Sequence, residues 1–527
     1  MQVITASQAA SLIQDNFVTG IGGSGGCSTP EYILTAMAER YKADNSPRNI
    51  TVVAGIAPGD LREDGLGFSI IRAPGLVGGI YAGHIGMSPA IGRGVAENKI
   101  AGVCVPLGVY SQILKAIAAQ NPGVVSHVGL NTFADPRLEG CFMNELARKF
   151  FKFKPVELIN INNKEFLFYN AFKLDACIIR GSFADEAGNI SLEREPFLSE
   201  QQSMAAAVHN SGGIVIVQVL DILKRGAIHP RKIHVQAHLV DYVVKVPAEL
   251  HNKFHVQCYG NLNHEYRPEL TGDIKINLSE LKPMSLTPRK VCGRRGAMEL
   301  KAGALINLGI GMPDSVASVA NEEGVADKLT LSLETGLFGG VPLQGVGFGA
   351  AANPEAVYQV ADNFDLYDGG VLDMAVLGAA EIDEQGNVNV SKFGTRCMGP
   401  GGFIDITQNT HKICFMGTFT ANGLECEIGG GKIKILSEGR DRKFKKRVEQ
   451  ITFAGQNALL NGQNIIYITE RAVFKLCDNG IELIEIAPGI DLQRDILANM
   501  DFKPEISQDL KLMDARIFMA DKMNLKI

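Results

Sequence analysis

The chain repeats itself. "LDACIIRGSFADEAGNISL" (174–192) lies over "LDMAVLGAAEIDEQGNVNV" (372–390) without a gap, at an offset of 198 residues. Leu174, Asp175, Asp185, Glu186, Gly188 and Asn189 answer Leu372, Asp373, Asp383, Glu384, Gly386 and Asn387. Each copy reads as a buried apolar strand, a D-E-x-G-N turn whose Asp and Gly supply the turn geometry, and a second strand. A second pair of stretches repeats as well. "VTGIGGSGGCSTPEYI" (18–33) and "AGALINLGIGMPDSVASVA" (302–320) place Gly20-Ile21-Gly22 over Gly309-Ile310-Gly311, an offset of 289. An apolar strand precedes each glycine pair, and a proline-started helix follows, with Pro30 and Pro313 in first helical positions and Thr29 as the first N-cap. Duplication of one α/β unit accounts for both pairs.

Apolar β-branched runs such as "GGIVIVQVL" and "NIIYIT" alternate with helical patterns such as "DSVASVANEEG". That alternation predicts parallel or mixed sheets covered by helices. "INLSELKPMSLTPRKVCGRR" (276–295) carries Pro283 and Pro288 among polar residues and breaks both periodicities. The expected organisation is therefore one α/β domain over 1–282, a linker over 283–290, and a related α/β domain over 291–527.

With 527 residues, 46% of them hydrophobic, either domain can bury a large core. A net charge of −6 and a pI near 6.0 argue against a nucleic-acid partner, which needs a broad basic surface. The ten cysteines are scattered singly, with no C-x-x-C pair, and no metal is expected. A reducing compartment fits. The N-terminus has no basic segment before its apolar residues, and no window of about 18 apolar residues occurs, so a cytoplasmic protein without a membrane partner is expected.

Four stretches carry candidate chemistry. "LTLSLETGLFGGVPLQGVGFGAAANPEAV" (329–357) sets Glu334 at the end of a strand-like run, before a glycine-dense segment with almost no other charge. A carboxylate there costs several kcal/mol to bury unless donors compensate, which points to a use; capping or pairing in a turn is the plainer reading. "SKFGTRCMGPGGFIDI" (391–406) carries Gly399-Pro400-Gly401-Gly402, where consecutive backbone N–H groups could converge as an oxyanion hole or simply close a tight turn. Cys27, just before a helix, is a rival nucleophile with no partnering base nearby. "GRDRKFKKR" (439–447) is a cationic run, most simply a solvated surface. The G-x-G-x-x-G of Gly20, Gly22 and Gly25 imitates a dinucleotide fingerprint, which keeps open a nicotinamide-dependent oxidoreductase or a nucleotide sensor.

"SLETGLFGGVP", "MGPGGFIDI", "RGSFADEAGNIS", "DEQGNVNVSKFG", "VEQITFAG" and "IEIAPGIDLQRDILANMDFKPEIS" together resemble the family I CoA-transferases. The resemblance is nearest to the single-chain acetate or propionate branch, in which two subunits are fused. It implies a tandem-duplicated CoA-transferase fold with the active site where the two halves meet. It also implies that Glu334 is the nucleophile that forms a glutamyl-CoA thioester, with the backbone N–H groups of Gly402 and Phe403 as oxyanion donors. By the same resemblance Gly23, Ser24, Gly25, Leu107, Gly108 and Gly401 fall in the region that holds the acyl group and CoA. Coenzyme A is then a substrate, no cofactor is permanently bound, and the partners are an acyl-CoA and a carboxylate. A homo-oligomer, dimer or tetramer, is implied too. One departure stands out: relatives usually show P-Q-G-V where this chain reads "VPLGV", so Leu107 replaces a glutamine amide. An acyl-CoA hydrolase on the same fold is the alternative within the family.

Overall fold

The apolar runs form parallel strands. The computed structural model describes residues 1–527 apart from Leu262 and 278–282. One sheet is built from β1 (Gln2–Val3), β2 (Val18–Ile21), β3 (Ile50–Ile56), β4 (Val77–His84), β5 (Ala101–Cys104), β6 (Ala176–Arg180), β7 (Ile214–Val219) and β8 (Tyr242–Lys245). Its order is β1-β8-β7-β6-β2-β3-β4-β5, with every pair parallel. All of β3 and β6 is buried, as expected where helices cover both faces of a sheet. The helices that matter for the site are α1 (Glu31–Asp44), α2 (Leu107–Ala118) and α3 (Gln201–Asn210).

A second sheet contains β9 (Leu305–Leu308), β10 (Thr330–Ser332), β11 (Met374–Gly378), β12 (Lys412–Met416) and β13 (Asn464–Ile468), continued by β14 (Ala472–Cys477), β15 (Gly480–Ile486) and β16 (Glu505–Leu512). These run in the order β10-β9-β11-β12-β13-β14-β15-β16. The segment β13-β12-β11-β9-β10 reproduces β8-β7-β6-β2-β3 of the first sheet strand for strand, so the two halves of the chain are related α/β units.

Strand register corrects one detail of the repeat. Ile21 pairs with Ile178, and Leu308 pairs with Val376, the residue 198 positions after Ile178. Ile21 therefore corresponds to Leu308, and Gly22 to Gly309, two residues away from the match suggested by the G-I-G letters. The hydrogen bonds agree: Gly22 N–H donates to Ile178 O at 2.9 Å and Gly309 N–H to Val376 O at 2.8 Å. A shift of two preserves which side chains face the core, so the letters alone could not expose it.

The D-E-x-G-N turns are alike in atomic detail. Asp185 accepts the N–H groups of Ala187, Gly188 and Asn189 and the Asn189 amide, each at 3.0 Å. Asp383 accepts those of Gln385 and Asn387 at 3.0 Å and the Asn387 amide at 3.1 Å. Thr29, in contrast, is not a helix cap. Pro30 holds that position without a side-chain bond, and Gln218 Oε1 takes the N–H groups of Tyr32 and Ile33 instead. The helix of the second copy starts at Ser315, two residues after Pro313.

Two compact units are woven through the chain. One comprises Met1–Ile276 with Leu333–Asp365 and Gly394–Asp405; the other comprises Asn277–Ser332, Leu366–Phe393 and Ile406–Ile527. The expected domain end at residue 282 lies outside the described residues, and helix Pro288–Ala297 begins inside the expected linker. No helix among the described residues is long and apolar enough to cross a membrane.

Candidate active site

Glu334 follows β10 directly, in a turn closed by Leu333 N–H to Leu337 O at 2.9 Å and Gly336 N–H to Leu333 O at 3.0 Å. Gly336 has φ +93°, so a side chain there would be strained. Thr335 Oγ1 donates to Gly349 O at 2.6 Å, and the Asn363 amide to Leu333 O at 3.3 Å, which fix the turn from both sides. Glu334 is half-buried, and the Gly402 N–H donates to its Oε2 at 2.9 Å. Loss of hydration pushes its carboxyl up to about 7, against the pull of that single N–H.

The Gly399–Gly402 loop is clamped to the end of β4. Ile85 N–H donates to Met398 O at 2.7 Å, Gly401 N–H to Gly83 O at 2.9 Å, and Leu107 N–H to Gly401 O at 3.0 Å. A methyl group at Gly402 would stand 2.4 Å from Glu334 Oε2 and 2.9 Å from the Phe364 ring, so glycine is required for the approach. Phe403 N–H donates to Pro400 O at 3.1 Å, closing the loop's own turn. The Gly402 N–H is a donor that reaches the carboxylate.

Gly401 lies between Glu334 and His84: a methyl group on it would be 3.8 Å from Glu334 Oε2 and 3.8 Å from His84 Cβ. Burial pushes the His84 imidazole down to about 4, and its Nδ1 accepts the Gly86 N–H at 3.2 Å, which leaves Nε2 to carry the proton of the neutral ring. A second acid is close enough to feel the charge of Glu334. Glu200, just before α3, accepts a hydrogen bond from Ser111 Oγ at 3.0 Å, and burial pushes its carboxyl up to about 7. Sequence reasoning missed Glu200, Ser111 and His84, because none stands in a local pattern that distinguishes it from an ordinary helix or strand residue.

Of the other expected residues, Leu107 is 2% exposed and lies over Gly83, where a methyl group would come within 3.0 Å of Leu107 Cδ1. Gly108 serves packing, since a methyl group there would meet Asp405 Oδ1 at 2.5 Å and Phe364 Cβ at 2.7 Å. Gly23, Ser24 and Gly25 form a loop closed by Ser24 N–H to Cys27 O at 3.0 Å and Gly25 N–H to Ile56 O at 3.2 Å. That loop abuts the glycine-dense segment after Glu334, with Gly26 so close to Val346 O that a methyl group would stand 1.9 Å away.

The fingerprint-like glycines are filled by protein. A methyl group at Gly20 would meet Met204 Sδ at 2.8 Å, and one at Gly22 would meet Gln201 Oε1 at 2.2 Å. The first free N–H groups of α1, where a pyrophosphate would sit, are taken by Gln218. These glycines seat the start of α3 against the sheet. Cys27 is fully buried, and its hydrogen bond with Cys258 and burial push its thiol well up, which removes it as a nucleophile. The cationic run is engaged locally: Arg442 pairs with Asp501 at 3.0 Å, Lys445 with Glu381 at 2.9 Å, and Lys443 donates to Ala379 O at 3.2 Å. Among the described residues, no three His, Cys, Asp or Glu side chains converge as a metal cage.

A buried ion-pair network holds the loop ahead of α1. Arg180, 1% exposed, bonds Glu195 at 2.7 Å, lies 3.6 Å from Glu31, and donates to Thr29 O at 3.0 Å and Val256 O at 2.8 Å. Burial would raise Glu195, yet Arg180 and His255 bring its carboxyl down to about 2.

The family model described as Coenzyme A transferase matches residues 3–246 and 293–493. The chain is 46% identical over 520 residues to the caffeate CoA-transferase of Acetobacterium woodii, covering 98% of this chain and 97% of that one. It is 40% identical over 518 residues to the acetate CoA-transferase YdiF of Escherichia coli (strain K12), covering 98% and 95%. The crystal structure of the acyl-CoA transferase YdiF apoenzyme from Escherichia coli O157:H7 matches with a TM-score of 0.92 at 39% identity, over 100% of this chain and 98% of that chain. A structure of the same protein as a thioester complex with CoA matches equally, with a TM-score of 0.92 at 39% identity over 100% and 98%.

Proposed function

Because the chain belongs to the coenzyme A transferase family, we propose that it moves CoA from a short-chain acyl-CoA to a free carboxylic acid through a glutamyl-CoA thioester on Glu334. The observation that carries this reading is the Glu334 carboxylate, half-buried at the end of β10, with the Gly402 N–H 2.9 Å from Oε2. The thioester complex of the similar YdiF with CoA supports the covalent route.

In this reading Glu334 attacks the thioester carbonyl of the donor, giving a mixed anhydride and CoA thiolate. The thiolate attacks the glutamyl carbonyl, the donor acid leaves as its anion, and a glutamyl-CoA thioester remains. An acceptor carboxylate reverses both steps, so kinetics are ping-pong and the thioester bond is conserved. The oxygen that accepts the Gly402 N–H becomes the glutamyl carbonyl oxygen, where negative charge grows in the two tetrahedral intermediates centred on the glutamyl carbon. A donor placed there is worth about 3–4 kcal/mol of barrier. Both half-reactions run through Glu334 and the thiolate of CoA, so CoA enters as substrate and the scheme calls for no resident cofactor.

The acid is the finer question. Acetate and propionate are the acceptors proposed from the family branch, and similarity to an acetate CoA-transferase supports them. A second reading, an aromatic acid, is favoured by the 46% identity to a caffeate CoA-transferase and by the apolar Leu107 beside Gly83. Discharge of CoA-loaded enzyme by acetate, propionate and caffeate separates the two. Free thiol released without any acceptor would favour the hydrolase alternative. A dimer or tetramer is proposed from the family and is read by light scattering; a cytoplasmic setting is proposed from ten cysteines that are all free thiols.

Intact-mass analysis after incubation with acyl-CoA and no acceptor tests the central claim. A CoA adduct mapped to Glu334 and absent from Glu334→Ala is expected. An unmodified Glu334 under turnover conditions would overturn it.

A further inference from the structure

Two carboxyl groups border the two ends of one run of neighbouring glycines. Glu200, 6% exposed, lies against Gly55, where a methyl group would meet its Oε1 at 2.8 Å. Gly83 is the neighbour of Gly55 across β3 and β4, and a methyl group on Gly83 would stand 3.0 Å from Gly55 O. Gly83 O in turn holds the Gly401 N–H at 2.9 Å, and Gly401 borders Glu334. Three glycines therefore lie along the backbone path between the acids, the middle one covered by the Leu107 side chain. Burial raises Glu200, and the charge on Glu334 pushes the same way.

Resting on the glutamyl-CoA reading above, we propose that Glu200 balances charge in the site, releasing a proton when Glu334 becomes an uncharged thioester and regaining it when the anionic acceptor binds. The free enzyme then holds one negative charge, on Glu334. The thioester enzyme holds it on Glu200, with one proton given to solvent. The acid-bound thioester enzyme holds it on the substrate carboxylate, with that proton taken back. No proton is consumed over a turnover, and near neutral pH the site avoids burying two like charges, which is the costly state. Glu200 acts through the charge of other groups and is a positioning residue.

The other groups facing this pair do not titrate in the relevant range. Tyr110, on α2, stays neutral because burial pushes its hydroxyl well up. His84, on β4, stays neutral because burial pushes its imidazole down. Ser111 carries no charge. In the thioester enzyme Glu334 itself has no proton to lose, so the acceptor half-reaction isolates Glu200.

The test is discharge of preformed CoA-loaded enzyme by acetate and by caffeate at pH 6 to 9, in the parent and in Glu200→Gln. In the parent, kcat/KM for the acid should fall about tenfold per pH unit once Glu200 is ionised, through KM rather than kcat. In Glu200→Gln the profile should be flat. A second measurement compares the same two proteins: in weakly buffered solution near pH 7 to 8 with a pH indicator, the parent should release more protons per CoA adduct formed than Glu200→Gln, whose release comes from Glu334 alone and fades as the pH rises. An equal pH slope in both proteins, or equal proton release in both, overturns the proposal. No adduct on Glu334 in the parent would instead defeat the glutamyl-CoA reading on which it rests.

Discussion

The N–H of Gly402 points at Glu334 Oε2 from 2.9 Å, and a single methyl group on Gly402 would occupy the same space at 2.4 Å. Gly402→Ala keeps the donor but displaces the acceptor. Turnover should fall by roughly 10²–10³, the range seen when an oxyanion donor is lost. The measurement is the rate of CoA-adduct formation, with circular dichroism to confirm the fold; parent-like adduct formation would remove Gly402 from the chemistry.

In the proposed route only the carboxylate form of Glu334 can attack, and burial pushes its carboxyl up to about 7. The donor half-reaction should therefore rise about tenfold per pH unit below 7 and level off above it, with an apparent midpoint that belongs to the coupled pair with Glu200. Stopped-flow formation of the adduct at saturating acyl-CoA reads this directly.

Both acids should cost stability above neutral pH. An acid whose carboxyl titrates near 7 when folded, against 4.5 for the ordinary side chain, keeps its proton longer in the folded state. Folding is unimpaired below about pH 4.5, loses ground as the pH climbs to 7, and carries the full penalty beyond. Glu334→Gln and Glu200→Gln should each gain roughly 2–3 kcal/mol at pH 8 and almost nothing at pH 4. Urea denaturation at the two pH values distinguishes this from a gain that ignores pH, which would refute it.

Arg180 is the expensive residue to remove. Arg180→Met strands Glu195 and Glu31 in the interior and frees the carbonyls of Thr29 and Val256. A loss of about 3–5 kcal/mol is expected. Arg180→Lys should recover little of it, because one ammonium cannot fork Glu195 while reaching both carbonyls.

Leu107→Gln puts an amide over Gly83. The ratio of kcat/KM for acetate to that for caffeate should rise, since a polar group there disfavours an apolar acid. Identical ratios in parent and variant would show that Leu107 has no part in choosing the acid.

The duplication was legible in the chain because Asp185 and Asp383 hold their turns with the same backbone bonds, a demand only a few residue types meet. Glu334 was legible because a lone charge at a strand end among glycines is conspicuous. Glu200, Ser111 and His84 were not. "FLSEQQSMAAAVH" reads as the start of any helix, and its acid reaches the site only because Gly22 and Gly55 let α3 settle onto the sheet. The compact units were equally hidden, since Leu333–Asp365 and Gly394–Asp405 leave the half of the chain that encodes them. That is a choice made by tertiary contacts, which leave no periodicity.

The register of the duplicated strands has a consequence for symmetry. Val53 pairs beside Gly20 as Ser332 pairs beside Asn307, and Gly20 and Asn307 are equivalent through their partners Cys177 and Ala375. Two residues further along, Gly55 stands in the first copy where Glu334 stands in the second. One twin carries an acid at this address; the other has no side chain there at all, and the vacancy is what the carboxyl of Glu200 leans into. The two-fold likeness survives in the backbone while the side chains at these matched positions part company, a bare glycine against Glu200 in one copy and an acid in the other.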